Sequence, residues 1–562
     1  MKQNCAIPSD TPPLRHTSKH RLAGLQDPDV LILGGGVNGV ATLRDLALNG
    51  VSCVLIDPHD FCQGASSASS RMAHGGLRYL EGREFRLVAE SARERNRLIA
   101  HAGHLVKPLE IVVPLEHLLG GFARAVLRFL GFARLSGPLS LAALEGALRL
   151  YEAFGRREHP LPNHKTVLRR AHFPKGLRPQ TRAVAAYFDG QITQPEGLMF
   201  EMLGEAMGQG PQIAALNHVN WHKDGDAIVV TDRFDRTQYR ITPKVIVNAT
   251  GAWIDDVNVK LGGQTQYLRG VKGAHLVLDH VALHQRMAGR AFYFDDGTGR
   301  MIITLPVGEN ILVGTTEVET KDAEDRGISE TEIAYLLRAI DGLFTDIAVD
   351  RSHIVSMTTG IRPLRDGGGS ATSAARDHAL EEDRFPGCAA PVLSLVGGKW
   401  TTFRAFGEEA ADRVLKHLGR MREVSTAQRT YPGAAPFARD AMTTSKDITT
   451  RLIARYGALT QEVAPLCTGQ GSAPLAGAPS YCRGEIIWAI RARAACCIED
   501  LVLRRSQLSL GHGLQRETLY DLAEILAQET GRDPKDLALE ITAVLEDPRL
   551  MGTRAQLQEN VA

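Results

Sequence analysis

The chain is predicted to fold as an α/β protein. A parallel-sheet domain is interrupted by an antiparallel-sheet insertion and followed by a helical domain. Three observations predict this. A strand-like run from Asp29 to Leu33 enters the pattern G-x-G-x-x-G at Gly34, Gly36 and Gly39. A helical pattern, Val40 to Leu48, and a second strand-like run, Val51 to Ile56, follow, and the run ends in Asp57, 18 residues after Gly39. Further strand-like runs return far downstream, at Ala227–Thr231, Val245–Ala249 and Val392–Val396. Strands of one sheet that lie so far apart imply a discontinuous domain.

Residues 1–28 are polar, carry Pro8, Pro12 and Pro13, and lack the apolar core of a signal peptide; they are expected to form a flexible extension. Residues 58–82 are rich in Ser and Gly, residues 85–102 have a helical pattern, and residues 116–155 are mostly apolar with spaced arginines. Alternating apolar segments near 274–279, 301–305 and 310–315 suit an antiparallel sheet. Val392–Val396 runs into Gly397-Gly398, and a helical pattern spans about Thr402 to Leu418. From about Tyr431, helical segments near 446–456, 484–503, 516–529 and 534–546 predict a C-terminal helical domain. The expected organisation is therefore 1–28, 29–430 and 431–562.

A length of 562 residues suits two or three domains. Lys+Arg 65 against Asp+Glu 64 gives a net charge of +1, so there is no broad basic field for nucleic acid. The eight cysteines form no CxxC pair and no metal-type spacing, which reads as reduced thiols in the cytoplasm with no metal site. No run of 18 apolar residues predicts a membrane-spanning helix.

Each part of the first βαβ unit has a physical task. Gly34 permits the tight strand-to-helix turn, Gly36 lets backbone N–H groups approach a pyrophosphate, and Gly39 lets helix and strand pack closely. The helix N-terminus presents its positive dipole end to the phosphates. Asp57 is placed to accept hydrogen bonds from a ribose diol. The unit is thus a Rossmann-like dinucleotide site.

Further strings agree on one family. They are Ser66-Ser67-Ala68-Ser69-Ser70-Arg71, His74-Gly75-Gly76-Leu77-Arg78-Tyr79-Leu80-Glu81 and Gly314-Thr315-Thr316-Glu317-Val318-Glu319. Gly360-Ile361-Arg362-Pro363-Leu364 and Gly397-Gly398-Lys399-Trp400-Thr401-Thr402 follow. With these strings the chain resembles the FAD-dependent glycerol-3-phosphate dehydrogenases, within the D-amino-acid-oxidase-like flavoproteins. Two departures stand out: Glu317 where the family often has Asp, and Arg493 near the place of a family acid.

The resemblance implies a Rossmann-like FAD-binding domain with an inserted antiparallel-sheet substrate domain. It implies FAD contacts from Gly34, Gly35, Gly36, Asn38, Gly39 and Asp57, and from Ser66, Ser67, Ser69 and Ser70. His74, Gly75, Gly76, Ala249, Gly251, Gly397, Gly398, Lys399, Thr401 and Thr402 complete that set. Gly397 and Gly398, just before a helix, suit backbone N–H groups aimed at a flavin ring, where a helix N-terminus stabilises the reduced anion. Taken alone, the Ser-rich run reads as a solvated loop, and a single Arg as a surface ion pair. The resemblance assigns Arg78, Tyr79, Arg362 and Lys399 to substrate or phosphate, with Arg376 as a further active-site arginine. Planar Arg forks and a Lys point charge suit a phosphomonoester. His275 matches the family histidine near the substrate hydroxyl, where an imidazole titrating near neutrality suits a general base. His74 is its competitor, and Lys399 is an alternative base.

The expected reaction oxidises sn-glycerol 3-phosphate to dihydroxyacetone phosphate by hydride transfer to FAD N5. There is no second nucleotide fingerprint and no iron–sulfur cysteine pattern. The resemblance implies a membrane quinone as acceptor, and a chain attached peripherally to the inner face of the cytoplasmic membrane. Phe122–Arg134 could lie flat on an anionic bilayer or pack on the protein; the helix after Lys399, with Arg404, Arg413 and Lys416, is a second candidate. A related FAD oxidase using oxygen, or acting on another hydroxy acid or amine, is the first alternative. A flavin-binding sensor or scaffold without turnover is the second. A homo-oligomer stays open.

Overall fold

A computed structural model describes residues 13–76, 85–118, 141–155, 161–298, 300–366, 378–438, 444–511 and 514–550. Its first sheet has six strands and is assembled from three separate stretches of chain. Val30–Leu33 lies at its centre, parallel to Val245–Asn248 on one side and to Cys53–Ile56 on the other. Ile213–Leu216 extends the sheet beyond Cys53–Ile56, and Val392–Val396 extends it beyond Val245–Asn248. Ala379–Asp383 adds an antiparallel edge. The four central strands are buried along their whole length, as a sheet covered on both faces requires. Val37–Leu48 and Phe403–His417 pack together on one face.

The insertion forms a second, ten-stranded, mostly antiparallel sheet. Leu268–Leu278 is paired antiparallel with Asn310–Gly314 and with Ile354–Arg365. Met301–Val307 pairs with Asn310–Gly314, so the alternating segments near 301–305 and 310–315 form adjacent strands. Ala227–Asp232 belongs to neither sheet; it is the middle strand of a separate three-stranded sheet.

The C-terminal helices are Lys446–Tyr456, Arg483–Arg493, Arg516–Thr530 and Pro534–Glu546, around two apolar clusters. The predicted helix 484–503 is broken. Ala494 takes a left-handed φ of 52°, and helical structure resumes at Ile498–Asp500 and Leu501–Arg505. Arg493 is buried at the break, its guanidinium 4.3 Å from the Trp488 ring and 5.4 Å from that of Tyr456.

The flexible extension needs correction. Leu14–Gly24 is a helix. Leu22 is buried against the first sheet, Arg15 pairs with buried Asp232, and Arg21 donates to the carbonyls of Met207 and Ile213. The segment is polar because cations fix it rather than a broad apolar face. Residues 1–12 lie outside the described residues, as does Phe122–Arg134. Among the described residues no helix is long and apolar enough to cross a membrane.

Candidate functional site

The fingerprint folds as its glycines require. Gly34 leaves its strand at φ +102°. A Cβ on Gly39 would stand 2.0 Å from the Gly34 carbonyl oxygen, so any larger residue would push the helix off the strand. A Cβ on Gly36 would meet only Ser66 Oγ, at 3.2 Å, and one on Gly251 nothing within 4 Å. These two positions face a cleft of about 590 Å³. Gly34, Asn38, Asp57, Ser66 and Ala249 also line it, as do Gly397, Gly398, Lys399 and Trp400.

The turn at Gly397 and Gly398, with φ of +82° and +97°, leads from Val392–Val396 towards the helix Phe403–His417. Asn38 Nδ2 donates to the Gly397 carbonyl at 3.1 Å and so ties this turn to the fingerprint helix. Trp400 Nε1 donates to the Ser66 carbonyl at 2.8 Å. A cleft lined by Gly34 and Gly36 of the fingerprint, by Gly251 and by the Gly397–Gly398 turn, with a carboxylate among its lining residues, fits a dinucleotide with a flavin ring.

Asp57 accepts from Gly35 N at 2.7 Å and from His59 N at 2.8 Å. Burial pushes its carboxyl up to about 6, against the pull of these two N–H groups. The serine loop divides its labour. Ser66 Oγ accepts from Val37 N at 3.1 Å, Ser67 Oγ donates to the Gly64 carbonyl, and Ser69 Oγ accepts from Arg71 N. His74 N donates to Thr401 Oγ1 at 3.1 Å. Gly75 N donates to Tyr151 OH and Asp189 Oδ1, so this amide is occupied inside the protein. Gly76 takes a positive φ, and Thr402, fully buried, precedes the helix Phe403–His417.

A second cluster forms where the serine loop meets the second sheet. His275 lies opposite Gly314 on one neighbouring strand and Thr358 on the other. Its imidazole covers Gly314, where a Cβ would come within 2.1 Å of Cδ2. His275 Nε2 shares a hydrogen bond with Ser70 Oγ at 2.7 Å. Arg362 lies opposite Val271; its guanidinium turns over Gly273 and donates to Thr315 Oγ1 at 2.9 Å. Glu317 stands 3.7 Å away. The next residue, Pro363, lines the cleft, so the two clusters adjoin. His275 does not titrate near neutrality as expected. Burial first, and then the fields of Arg362 and Arg71, lower it to about 3.

Thus the structure brings together His275, Arg362 and Ser70 in one place and Lys399 with the glycines in the other. Arg78, Tyr79 and Arg376 lie outside the described residues. The Ser70–His275 pair was not expected, because 205 residues separate the two. Asp60, Arg504 and Arg505 were also missed. Adjacent arginines within Leu501-Val502-Leu503-Arg504-Arg505 are the available signal: two cations in a buried segment need acids.

A Rossmann-like sheet with this cleft, coupled to a sheet carrying a buried histidine and an arginine, defines a flavin-dependent oxidoreductase. Residues 29–413 match the family described as "FAD dependent oxidoreductase", and the chain belongs to it. Residues 388–537 match "C-terminal domain of alpha-glycerophosphate oxidase". A glycerol-3-phosphate dehydrogenase of Synechocystis sp. is 30% identical over 518 residues, covering 86% of this chain and 89% of that protein. A D-erythritol 1-phosphate dehydrogenase of Brucella abortus is 31% identical over 398 residues, covering 69% and 74%. The solved FAD complex of the Bacillus halodurans glycerol-3-phosphate dehydrogenase shares the fold, with a TM-score of 0.70, 19% identity, and 95% and 99% coverage.

Proposed function

We propose that the protein oxidises sn-glycerol 3-phosphate to dihydroxyacetone phosphate and passes the electrons to a quinone while bound peripherally to a membrane. The observation that carries this reading is buried His275, bonded to Ser70 and beside Arg362, next to the cleft. The named relatives support the substrate class. FAD, when bound, supplies the acceptor for the hydride leaving the carbinol carbon. Arg362, one-third exposed, offers its guanidinium to the phosphate, and Lys399 adds a point charge. His275 takes the hydroxyl proton. It is neutral across the physiological range; burial, and to a lesser degree the Arg362 field, keep it a weak base. A dianionic phosphate paired with Arg362 offsets that field and raises the basicity of His275 when substrate is in place.

The Brucella abortus relative favours a second reading, a longer polyol phosphate in the same site. Mixing the flavoprotein anaerobically with glycerol 3-phosphate or D-erythritol 1-phosphate separates the two. Glycerol 3-phosphate is expected to bleach the flavin, and a quinone analogue to restore its colour faster than oxygen does. No bleaching by glycerol 3-phosphate overturns the main reading. Arg362→Ala should retain flavin and lose about 2–5 kcal/mol of transition-state binding, roughly 30- to several-thousand-fold in kcat/KM, with partial rescue by Arg362→Lys.

A further inference from the structure

Asp57 ends the strand Cys53–Ile56, and the chain then turns through Pro58, His59, Asp60, Phe61 and Cys62 before the serine loop. This turn is joined to the fingerprint at three points. Gly35 N donates to Asp57, Cys62 N donates to the Gly35 carbonyl at 2.9 Å, and the Phe61 ring stands 2.3 Å from where a Gly35 Cβ would lie. Asp60 is fully buried. Its carboxylate receives a two-pronged contact from Arg505, Nη1 at 2.6 Å and Nη2 at 2.7 Å. Arg504 Nε and Asn217 Nδ2 complete the shell. Both arginines come from the C-terminal helical region, 444 and 445 residues away. Arg505 Nε is fixed in turn by the Arg493 carbonyl at 2.8 Å, and Arg504 also contacts Asp500 and Glu499.

We infer that Arg505, with Arg504, is a positioning residue for FAD: it fixes Asp60 and thereby the Asp57–Gly35 geometry that receives the adenosine half of the cofactor. A buried carboxylate facing two guanidiniums has one low-energy place, and the turn between Asp57 and Cys62 is too short to move one end alone. The C-terminal region therefore acts on cofactor binding without touching the cleft. The same junction gathers His218, Cys496 and Asp500, with candidate ligand atoms within 4.8 Å of one another. The Asp500 oxygens there already receive Arg504, His218 and the N–H groups of Cys496 and Cys497. It is an ion-paired buttress of the same clamp.

The inference rests on Asp57 as the ribose acceptor, so the test is a cycle of Arg505→Gln, Asp57→Asn and the double variant in the full-length apoprotein. FAD and ADP, which carries only the adenosine diphosphate half, are titrated well below the unfolding temperature of each variant. Arg505→Gln is expected to weaken both ligands about 10-fold or more, Arg505→Lys to recover part of this, and the double variant to lose less than the product of the single losses. A lowered unfolding temperature with an unchanged Kd for FAD makes the clamp merely structural and overturns the inference, as do losses that multiply. Should Arg505→Gln not fold, Arg505→Lys decides by the same Kd. An unchanged Kd in Asp57→Asn alone refutes the ribose reading instead.

Discussion

The fingerprint cleft and the His275 cluster adjoin, yet they are built in opposite ways. The fingerprint part of the cleft is made of backbone: within 29 residues, Asp29 to Asp57, glycines set the turn, the helix approach and the open floor. The His275 cluster is made of side chains drawn from Ser70, His275, Thr315 and Arg362, on four segments. One depends chiefly on steric exclusion, which is local. The other depends on burial and electric fields, which arise only after two sheets have met. Substitutions in the first should therefore act through cofactor content and folding, and those in the second through rate and pH.

The largest effect is expected at Gly39. Gly39→Ala places a Cβ 2.0 Å from a backbone carbonyl oxygen that cannot turn away as a side chain would. We expect a protein without bound flavin, destabilised by about 3 kcal/mol. Flavin absorbance per protein and thermal unfolding measure both. Retention of full flavin content would break the steric side of the comparison. Gly36 is the gentler position, since its one close neighbour is a hydroxyl.

The second effect is confined to chemistry. His275→Asn should bind flavin and lower the anaerobic rate of flavin reduction by roughly 10²–10⁴-fold, with little change in KM, because a base acts on the proton leaving in the transition state. A normal reduction rate would move the proton to Lys399 and make His275 a packing residue.

The same contrast decides what the sequence reveals. Glycine spacing, a terminal acid and apolar periodicity are local, so the βαβ unit, the helices Phe85–His101 and Phe403–His417 and the antiparallel strands are legible in it. The helix Leu14–Gly24 was not, because distant ion pairs hold it. The break at Ala494 was not, because the apolar pattern continues across it. His275 was found only through its motif. Its depressed basicity and its Ser70 partner come from burial between two sheets, and the Asp60 clamp from domain contact; neither leaves a periodic trace.

The smallest effect sharpens the comparison through pH. His275 is held near 3 in the native protein against an ordinary 6.5. Below 6.5 the unfolded chain binds a proton that the native chain refuses, so this residue lowers stability as pH falls from 6.5 towards 3. By pH 5 the cost is about 2 kcal/mol. Asp57 acts with the opposite sign. Its native carboxyl is raised to about 6 from 3.8, so the native chain holds a proton that the unfolded chain releases, and stability rises as pH falls through 6 towards 3.8. At pH 5 this returns about 1 kcal/mol. The wild-type apoprotein therefore shows only a shallow net slope from the two groups, and the variant exposes them. His275→Asn removes the descending contribution and leaves the ascending one. The stability gap between wild type and variant should shift in the variant's favour by about 2 kcal/mol between pH 7 and pH 5, read from urea unfolding of both apoproteins. A gap that stays constant over that range would show that the imidazole is solvated in the native state, and that the field of Arg362 does not reach it.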